Sequence, residues 1–207
     1  MWQRFIKPVP LLYLILLAGC ATAPQVETVQ RPPVSALNAA TDADVDAEFK
    51  AAVALMKADR WEAAAEKLAA ITVTDSQLSG AWTNLGIARN MLGDQAGAEA
   101  ALRQAIAVNS SQVAAYSELA LLCRRSGRLE EAAAIYNQGL AVNPNSEDIH
   151  WNLAVLYDQY LTEPVLALQH YERYQQLTGS EDRFLLSWID ELRDKASQVS
   201  VAAGAKQ

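Results

Sequence analysis

Few side chains in this sequence could perform catalytic or metal chemistry. The two histidines, His150 and His170, fall on different predicted helices, and no metal-ligand spacing surrounds either one. We therefore expect ordinary helix-surface histidines. Cys123 falls at an inward position of its helix, which predicts a buried structural thiol and not a nucleophile. Because phosphate-binding glycine loops and serine-nucleophile motifs are also missing, the sequence predicts a non-enzyme with no cofactor and no metal.

Three arginines, Arg124, Arg125 and Arg128, form a small basic cluster in an otherwise acidic chain. Two interpretations of this cluster stay open: a solvated helix end that complements the helix dipole, or a docking point for a carboxylate or a phosphate. The formal net charge of −7 argues against nucleic-acid binding, because such binding depends on basic residues that neutralise the phosphates.

The first twenty residues have the parts of a bacterial export signal. Two basic residues precede the apolar run 11–17, which is shorter than the roughly 20 residues that span a bilayer. The sequence Leu-Ala-Gly-Cys at 17–20 resembles the lipobox of bacterial lipoproteins. This resemblance implies that residues 1–19 are a cleaved signal peptide and that Cys20 carries a diacylglyceryl thioether, with acyl chains such as palmitate. Because Ala21 follows Cys20, the sorting pattern of these lipoproteins implies an outer-membrane anchor and a protein facing the periplasm.

The segment 20–41 follows the signal and has no apolar period. It contains three prolines among scattered polar residues, a composition typical of a flexible tether. Two roles stay open for the tether: a spacer that lifts the rest of the protein off the membrane, or a leader without a role.

From residue 42 the apolar pattern is helical, and two segments repeat one another. Residues 81–109 and 114–143 both end in Ala-Val-Asn. Residues of similar size recur at an offset of 34, which indicates a structural repeat. The matching pairs are Trp82 and Tyr116, Leu85 and Leu119, Gly86 and Ala120, Gly93 and Gly127, Ala98 and Ala132, Leu102 and Tyr136, and Ala105 and Gly139. Fainter copies cover about 45–78 and 147–179, the second with a one-residue insertion in the turn around Pro164.

The order of large and small positions resembles the tetratricopeptide repeat (TPR). The resemblance implies an all-α fold, a superhelical TPR array of about four helical hairpins over residues 42–179. In such a hairpin the small residues let two helices approach closely, and the large residues fill the space between hairpins. Gly93 and Gly127 are expected to make the turns inside their hairpins.

A terminal repeat needs a cap over its outer apolar face. The sequence predicts a capping helix over 180–196, with Ser180 able to cap its N-terminus. The apolar residues expected on one face of this helix are Phe184, Leu185, Trp188, Ile189 and Leu192. Residues 197–207 are polar and alanine-rich, and we expect them to form a disordered tail.

In TPR arrays the first helix of each hairpin lines a concave groove. Applied repeat by repeat, the resemblance implies a partner-binding groove formed by Phe49, Lys50, Val53 and Met56, then Thr83, Asn84, Ile87, Asn90 and Met91, then Ser117, Glu118, Leu121, Arg124 and Arg125, and finally Trp151, Asn152, Val155, Asp158 and Gln159. This mixed surface suits an extended or helical peptide. For Ile87, Leu121 and Val155, packing within the array is an equally open interpretation. The residues that clamp a free C-terminal carboxylate in chaperone-binding relatives are not at matching positions.

These features predict a membrane-anchored scaffold that binds a protein partner in its groove. The function of this scaffold could be assembly of a pilus or secretin, assembly of outer-membrane proteins, or recruitment of cell-wall enzymes. The overall plan resembles that of pilus-assembly lipoproteins. The alternative is a self-associating structural spacer that binds no peptide. The sequence does not determine the partner, the envelope pathway or the oligomeric state.

Overall fold

The computed structural model describes residues 42–204, and for residue 42 and residues 199–204 it describes the backbone alone. All regular structure in this part of the chain is helical: α1 Asp42–Lys57, α2 Trp61–Thr74, α3 Ser79–Met91, α4 Gln95–Val108, α5 Val113–Arg125, α6 Leu129–Val142, α7 Glu147–Gln159, α8 Pro164–Thr178 and α9 Arg183–Gly204. Between residues 42 and 204, no helix is long and apolar enough to cross a membrane. The predicted signal peptide, Cys20 and the tether lie outside the described residues.

The helix boundaries reproduce the 34-residue period. Helices α5 and α7 begin and end 34 residues after α3 and α5, and the same offset separates α2, α4 and α6. Helix α8 begins 35 residues after α6, so the insertion lies in the turn after α7, and Pro164 takes the first position of α8. Consecutive helices from α1 to α8 pack as four hairpins, and α9 packs on α8. The predicted all-α TPR superhelical array is confirmed.

The turn inside each hairpin contains one residue with a positive φ. Gly93 and Gly127, with φ of 82° and 77°, make two of these turns as predicted. Asp59 and Thr162 take the same place in the first and last hairpins, with φ of 56° and 53°. A β-branched residue rarely adopts this conformation. A hydrogen bond from the backbone N–H after Thr162 to the Tyr157 carbonyl, 2.9 Å long, holds this turn.

The loops between hairpins also follow the repeat. Asp75, Asn109 and Asn143 each accept a hydrogen bond through the side-chain oxygen from the backbone N–H two residues later, at 2.9, 3.0 and 3.1 Å. This Asx turn is combined with a backbone turn, because the carbonyl of each of these three residues also accepts from the backbone N–H three residues later, at 3.4, 3.0 and 3.2 Å. The asparagine that ends each Ala-Val-Asn sequence is therefore the residue that directs the chain into the next hairpin.

A ring near the start of α3, α5 and α7 anchors the loop before each helix. The Trp82 indole N–H and the Tyr116 hydroxyl donate to the carbonyl six residues earlier, at 3.0 and 3.2 Å. His150 lies at the same repeat position, and its Nε2 lies 3.0 Å from the corresponding carbonyl, that of Pro144. His150 is 7% exposed. The expectation of a helix-surface histidine is wrong for His150, because this repeat position faces the core.

Close packing inside the hairpins depends on the predicted small residues. A Cβ added at Gly86 in α3 would lie 2.6 Å from Leu102 Cγ and 3.1 Å from the Ala98 carbonyl oxygen, both in α4. A Cβ at Gly139 would lie 3.1 Å from Tyr116 Cβ, in the neighbouring α5. Neither position has room for a methyl group without movement of its neighbours.

Helix α9 covers the last hairpin with a narrower apolar face than predicted. Leu185, Ile189 and Leu192 are buried against α8, together with Tyr171. The other predicted members of this face, Phe184 and Trp188, are 77% and 47% exposed.

The two ends of α9 also differ from the sequence prediction. Asp182, and not Ser180, caps the helix, because its Oδ1 accepts hydrogen bonds from the N–H groups of Phe184 and Leu185 at 2.8 and 3.2 Å. The helix then continues to Gly204. Residues 197–204, predicted to belong to a disordered tail, are therefore helical.

Arg128 does not belong to a basic cluster with Arg124 and Arg125. Its guanidinium donates to Glu99 at 2.6 Å and to Glu131 at 3.2 Å, and Arg103 contacts the same two carboxylates at 2.7 and 2.8 Å. The hydrogen bonds from Arg128 and then Arg103 lower the pKa of Glu99. This network joins α4 to α6, although partly exposed pairs contribute only about 0–1 kcal/mol each.

The two histidines form a direct pair. Their Nδ1 atoms lie 2.9 Å apart, and the His170 ring stacks on Tyr157 with centroids 5.7 Å apart. The Pro144 carbonyl can only accept, so His150 carries its proton on Nε2, and its Nδ1 accepts from the Nδ1–H of His170. Burial, and then the charge of His150, lower the pKa of His170 to about 4. The pair thus links α7 to α8 through a contact between the two rings.

The substitution Gly86→Ala tests the close approach of α3 and α4. We expect it to lower the free energy of unfolding by about 1–3 kcal/mol, because the added methyl overlaps Leu102. Gly80→Ala in the same helix is the control. Its Cβ would meet only Phe49, at 3.5 Å, so the higher helix propensity of alanine should stabilise by up to about 1 kcal/mol. Urea denaturation of both variants measures the difference, and equal effects would contradict this role of Gly86.

The histidine pair predicts a specific loss of stability in acid. Because the pKa of folded His170 lies at about 4 and its ordinary value is 6.5, the unfolded chain takes up this proton first as the pH falls. The contribution of neutral His170 to the free energy of unfolding is complete above pH 6.5 and is lost between pH 6.5 and about 4. We expect a loss of roughly 2 kcal/mol from this group, allowing for partial exposure.

His170→Gln supplies the matched control for this acid loss, since its amide can still donate to His150 but does not titrate. Urea midpoints at neutral pH and at about pH 4 are compared for the two proteins, because carboxylates titrate in both. An equal loss of stability in both proteins would show that His170 is not the responsible group.

Candidate functional site

The first helices of the hairpins form the inner layer of the array. Helix α3 contacts both α1 and α5, and α5 contacts α7, although each pair belongs to different hairpins. Among the described helices, α2, α4, α6 and α8 make no such contacts with one another. The first helices therefore lie closer together than the second helices, which places them on the inner side of the curve.

A row of apolar side chains runs along this inner layer. Val53, Ile87, Leu121 and Val155 stand 34 residues apart, one on each of α1, α3, α5 and α7. All four are partly exposed. Because these side chains occupy one repeat position in adjoining helices, they form a partly exposed apolar row along the inner layer, and Val155 also packs against the core cluster around Tyr171. We call it the inner apolar row.

Polar side chains flank the inner apolar row on one side. Asn84, Glu118 and Asn152 share one repeat position and are partly exposed. The Asn152 amide donates to the Asp148 carbonyl at 2.8 Å. Burial raises the pKa of Glu118, which the nearby Arg125 opposes. This flank offers hydrogen-bonding groups along the direction in which a peptide backbone would run.

The last turns of α3, α5 and α7 give the groove a change of charge along its length. The same repeat position holds Asn90, Arg124 and Asp158 in these three helices. The Arg124 guanidinium lies over the Tyr160 ring, 5.4 Å from its centroid, and within the described residues its Nε has no hydrogen-bond partner. A positive group in the third hairpin is thus followed by a negative one in the fourth.

The next repeat position in the same turns is more exposed. Met91 is 53% exposed, and Arg125 and Gln159 are also open to solvent. The Gln159 amide donates to Asp158 at 2.5 Å. The groove therefore has an outer rim of exposed side chains beside the charged position.

One of the predicted groove residues is buried in the structure, and two others are less available to a partner than predicted. Thr83 is 3% exposed, and its hydroxyl donates to the Ser79 carbonyl at 2.9 Å, so it is unavailable to a partner. Phe49 is partly buried against α3. Lys50 is exposed and pairs with Asp46 at 2.5 Å. The first hairpin therefore offers less free surface to a partner than predicted.

Trp151 belongs to an aromatic cluster that the groove prediction did not include. Its ring centroid lies 5.5 Å from Tyr171, 5.1 Å from Tyr174 and 6.5 Å from Trp188. A cavity of about 410 Å³ opens between α7 and α9 beside these rings. We call it the α7–α9 pocket, and it is lined by Trp151, Val155, Asp158, Gln159, Tyr171, Trp188, Glu191 and Lys195. The pocket residues that the groove prediction omitted lie on α8 and α9, helices that the repeat pattern assigns to packing.

The chemistry-bearing residues outside the groove have structural roles. Cys123 is fully buried, which confirms the predicted burial, and this burial raises the pKa of its thiol and so disfavours the thiolate. Burial likewise raises the pKa of Tyr136 to about 12. Among the described residues, no group of three His, Cys, Asp or Glu side chains is placed to hold a metal ion.

Comparison with known proteins gives relatives of the same repeat type. Residues 120–159 match the TPR repeat family. Tetratricopeptide repeat protein 8 of Mus musculus is 28% identical over 94 residues, which make up 45% of this chain and 18% of the mouse protein. The chain therefore spans less than a fifth of this relative.

Solved structures are similar to this chain in fold. A thermophilic TPR protein of Thermus thermophilus superposes with a TM-score of 0.59 at 18% identity, over 75% of this chain and 84% of that one. Pseudomonas aeruginosa pilF superposes with a TM-score of 0.65 at 17% identity, over 74% of this chain and 69% of that one.

The matched segment, the 34-residue period and the likeness in fold point to the same assignment. Repeats of this kind build extended concave surfaces that bind other proteins. The described helices form a tetratricopeptide-repeat array, and residues 120–159 match the TPR repeat family.

Proposed function

We propose that this protein is a lipid-anchored adaptor of the bacterial outer membrane, which faces the periplasm and binds a protein partner in its groove. The observation that carries the proposal is the inner apolar row. Four aliphatic side chains at one repeat position remain partly in solvent, whereas the neighbouring Leu85, Leu119 and Leu153 are fully packed. An exposed apolar stripe with polar sides is typical of a surface that binds another protein.

The shape and chemistry of the groove favour a peptide segment over a small ligand. Its polar flank carries Asn84 and Asn152, whose amides can pair with a peptide backbone, and its apolar row can take side chains of an extended strand or a helix. This arrangement supports a scaffold that helps to assemble an envelope complex. A pilus or secretion assembly is one such complex, and the likeness to Pseudomonas aeruginosa pilF is one of fold, which does not select among these complexes.

The anchor part of the proposal rests on the sequence around Cys20. Lipidation there would hold the array near the membrane, and residues 21–41 would supply the reach. Several acyl chains on one cysteine bind a membrane strongly, because each buried methylene contributes about 0.8 kcal/mol.

A photo-cross-linking amino acid at position 84 should capture a partner in the bacterium that produces this protein. We expect a discrete cross-link to a different protein from position 84 and none from position 73, because Val73 is 86% exposed on α2, away from the inner layer. The double substitution Ile87→Ser with Leu121→Ser should reduce the cross-link by at least roughly fivefold, since buried apolar anchors dominate binding. Val73→Ser is its control.

The competing outcomes of this experiment are distinct. Cross-links to other copies of the same chain, and to nothing else, would favour the self-associating spacer. Equal cross-links from positions 84 and 73 would show that the groove is not the binding surface. Circular dichroism confirms that the double variant is folded before either outcome is scored.

Substitution of Cys20 by serine tests the anchor separately. We expect Cys20→Ser to abolish metabolic labelling by a palmitate analogue and to release the protein from the membrane fraction, because the thiol that would carry the lipid is gone. Cys123→Ala is the control and should keep both properties, since Cys123 is buried in the repeat core. Labelling of the Cys20→Ser variant at the level of the unaltered protein would rule out this anchor.

A further inference from the structure

We propose that the α7–α9 pocket binds an arginine side chain of the protein partner. This inference rests on the proposed function and extends it, because it names the chemistry that the partner must present at one end of the groove. The pocket adjoins the last residue of the inner apolar row, Val155, which is part of its lining. A peptide lying along that row would reach the pocket at its end.

The pocket exists because α9 does not continue the stacking of the first helices. No Cα of α9 lies within 8 Å of a Cα of α7, although α3, α5 and α7 approach their neighbours more closely. Aromatic rings bridge the gap: Trp151 of α7 lies 6.5 Å from Trp188 of α9, and Tyr171 of α8 lies 6.4 Å from Trp188. Trp188 remains 47% exposed, so an aromatic surface is open to a ligand.

The charges around these rings are predominantly negative. Asp158 and Glu191 face the pocket together with a single cation, Lys195. The Lys195 ammonium lies 2.7 Å from Glu191 and so neutralises that carboxylate. Asp158 accepts a hydrogen bond from Gln159, and no Lys or Arg nitrogen of the described residues lies within 4.0 Å of its carboxylate. Lys195 also interacts with the charge of Asp158, so the two carboxylates and one ammonium leave one net negative charge beside the two indoles.

A guanidinium matches both features of the pocket. It is planar and weakly hydrated, stacks on aromatic faces and donates to a carboxylate through parallel hydrogen bonds. An acidic side chain would be repelled by the net negative charge of the pocket. An aliphatic side chain would supply no cation to the Asp158 carboxylate while removing part of its water.

The test measures binding of a short capped peptide, alanine-arginine-alanine, to the full chain in detergent. Fluorotryptophan incorporated into the protein gives separate fluorine resonances for Trp151 and Trp188, which are assigned with Trp→Phe variants. We expect the arginine peptide to shift both resonances in a saturable manner. The same peptide with citrulline, the neutral isostere of arginine, should bind at least about threefold more weakly, in line with one cation–π contact and one partly exposed ion pair.

Asp158→Asn should weaken binding of the arginine peptide by about three- to fivefold and leave binding of the citrulline peptide unchanged. Trp188→Leu should weaken the arginine peptide, whereas Phe184→Leu, on the same helix and 77% exposed, should not. Equal binding of the arginine and citrulline peptides, or preference for a glutamate peptide, would overturn the inference. Absence of any shift at accessible peptide concentrations would also overturn it.

The outcomes separate this inference from the proposed function. If position 84 captures a partner while the arginine peptide does not bind, the groove is supported as the binding surface and the proposed arginine specificity of the α7–α9 pocket is wrong. If the arginine peptide binds as expected and position 84 captures no partner, the adaptor role fails while the pocket keeps its specificity. In the case where both hold, Asp158→Asn should also reduce partner capture.

Discussion

The close approach of the two helices in a hairpin is the constraint on which the structure depends. At Gly86 the backbone of α3 meets Leu102 of α4 with no room for a methyl group. Such contact fixes the position of one helix against the other, because a packed interior resists displacement. Each hairpin then presents the same outer surface to the next. With the Asx turns at Asp75, Asn109 and Asn143 setting each junction, the repeat in sequence becomes a repeat in space.

This regularity turns single positions into rows, and the rows give the array its groove. Because the first helices adjoin one another, a residue type chosen at one repeat position recurs along the inner layer. The repeat position of Ile87 and Leu121 is apolar in every hairpin, so it produces an apolar row. The repeat position of Arg124 and Asp158 varies, so it produces a change of charge along the groove. The partner surface therefore depends on the same period as the core. Its end is different, because α9 replaces a further first helix and leaves a pocket beside Trp151.

The sequence predicted the array closely wherever the repeat was strong. The hairpin turns at Gly93 and Gly127, the buried Cys123 and the insertion before Pro164 all follow from the 34-residue offset. The surface position predicted for His150 is wrong because burial here follows from the place in the repeat and not from the residue type. The same offset that pairs Trp82 with Tyr116 leads directly to His150, so the signal for its buried, loop-anchoring role was present. Its contact with His170 depends on a residue outside the strong repeats.

The amino-acid sequence by itself determined the helical hairpins, their number and the inward positions, because small residues and turn residues at a fixed spacing act locally and recur. Tertiary structure alone decided which inner residues remain accessible. Thr83 is buried and Ile87 is partly exposed, although the two residues stand four apart on one face of α3. It also decided that Trp188 is exposed, forming a pocket with Trp151, since the final helix has no repeat pattern and its position follows from packing on α8.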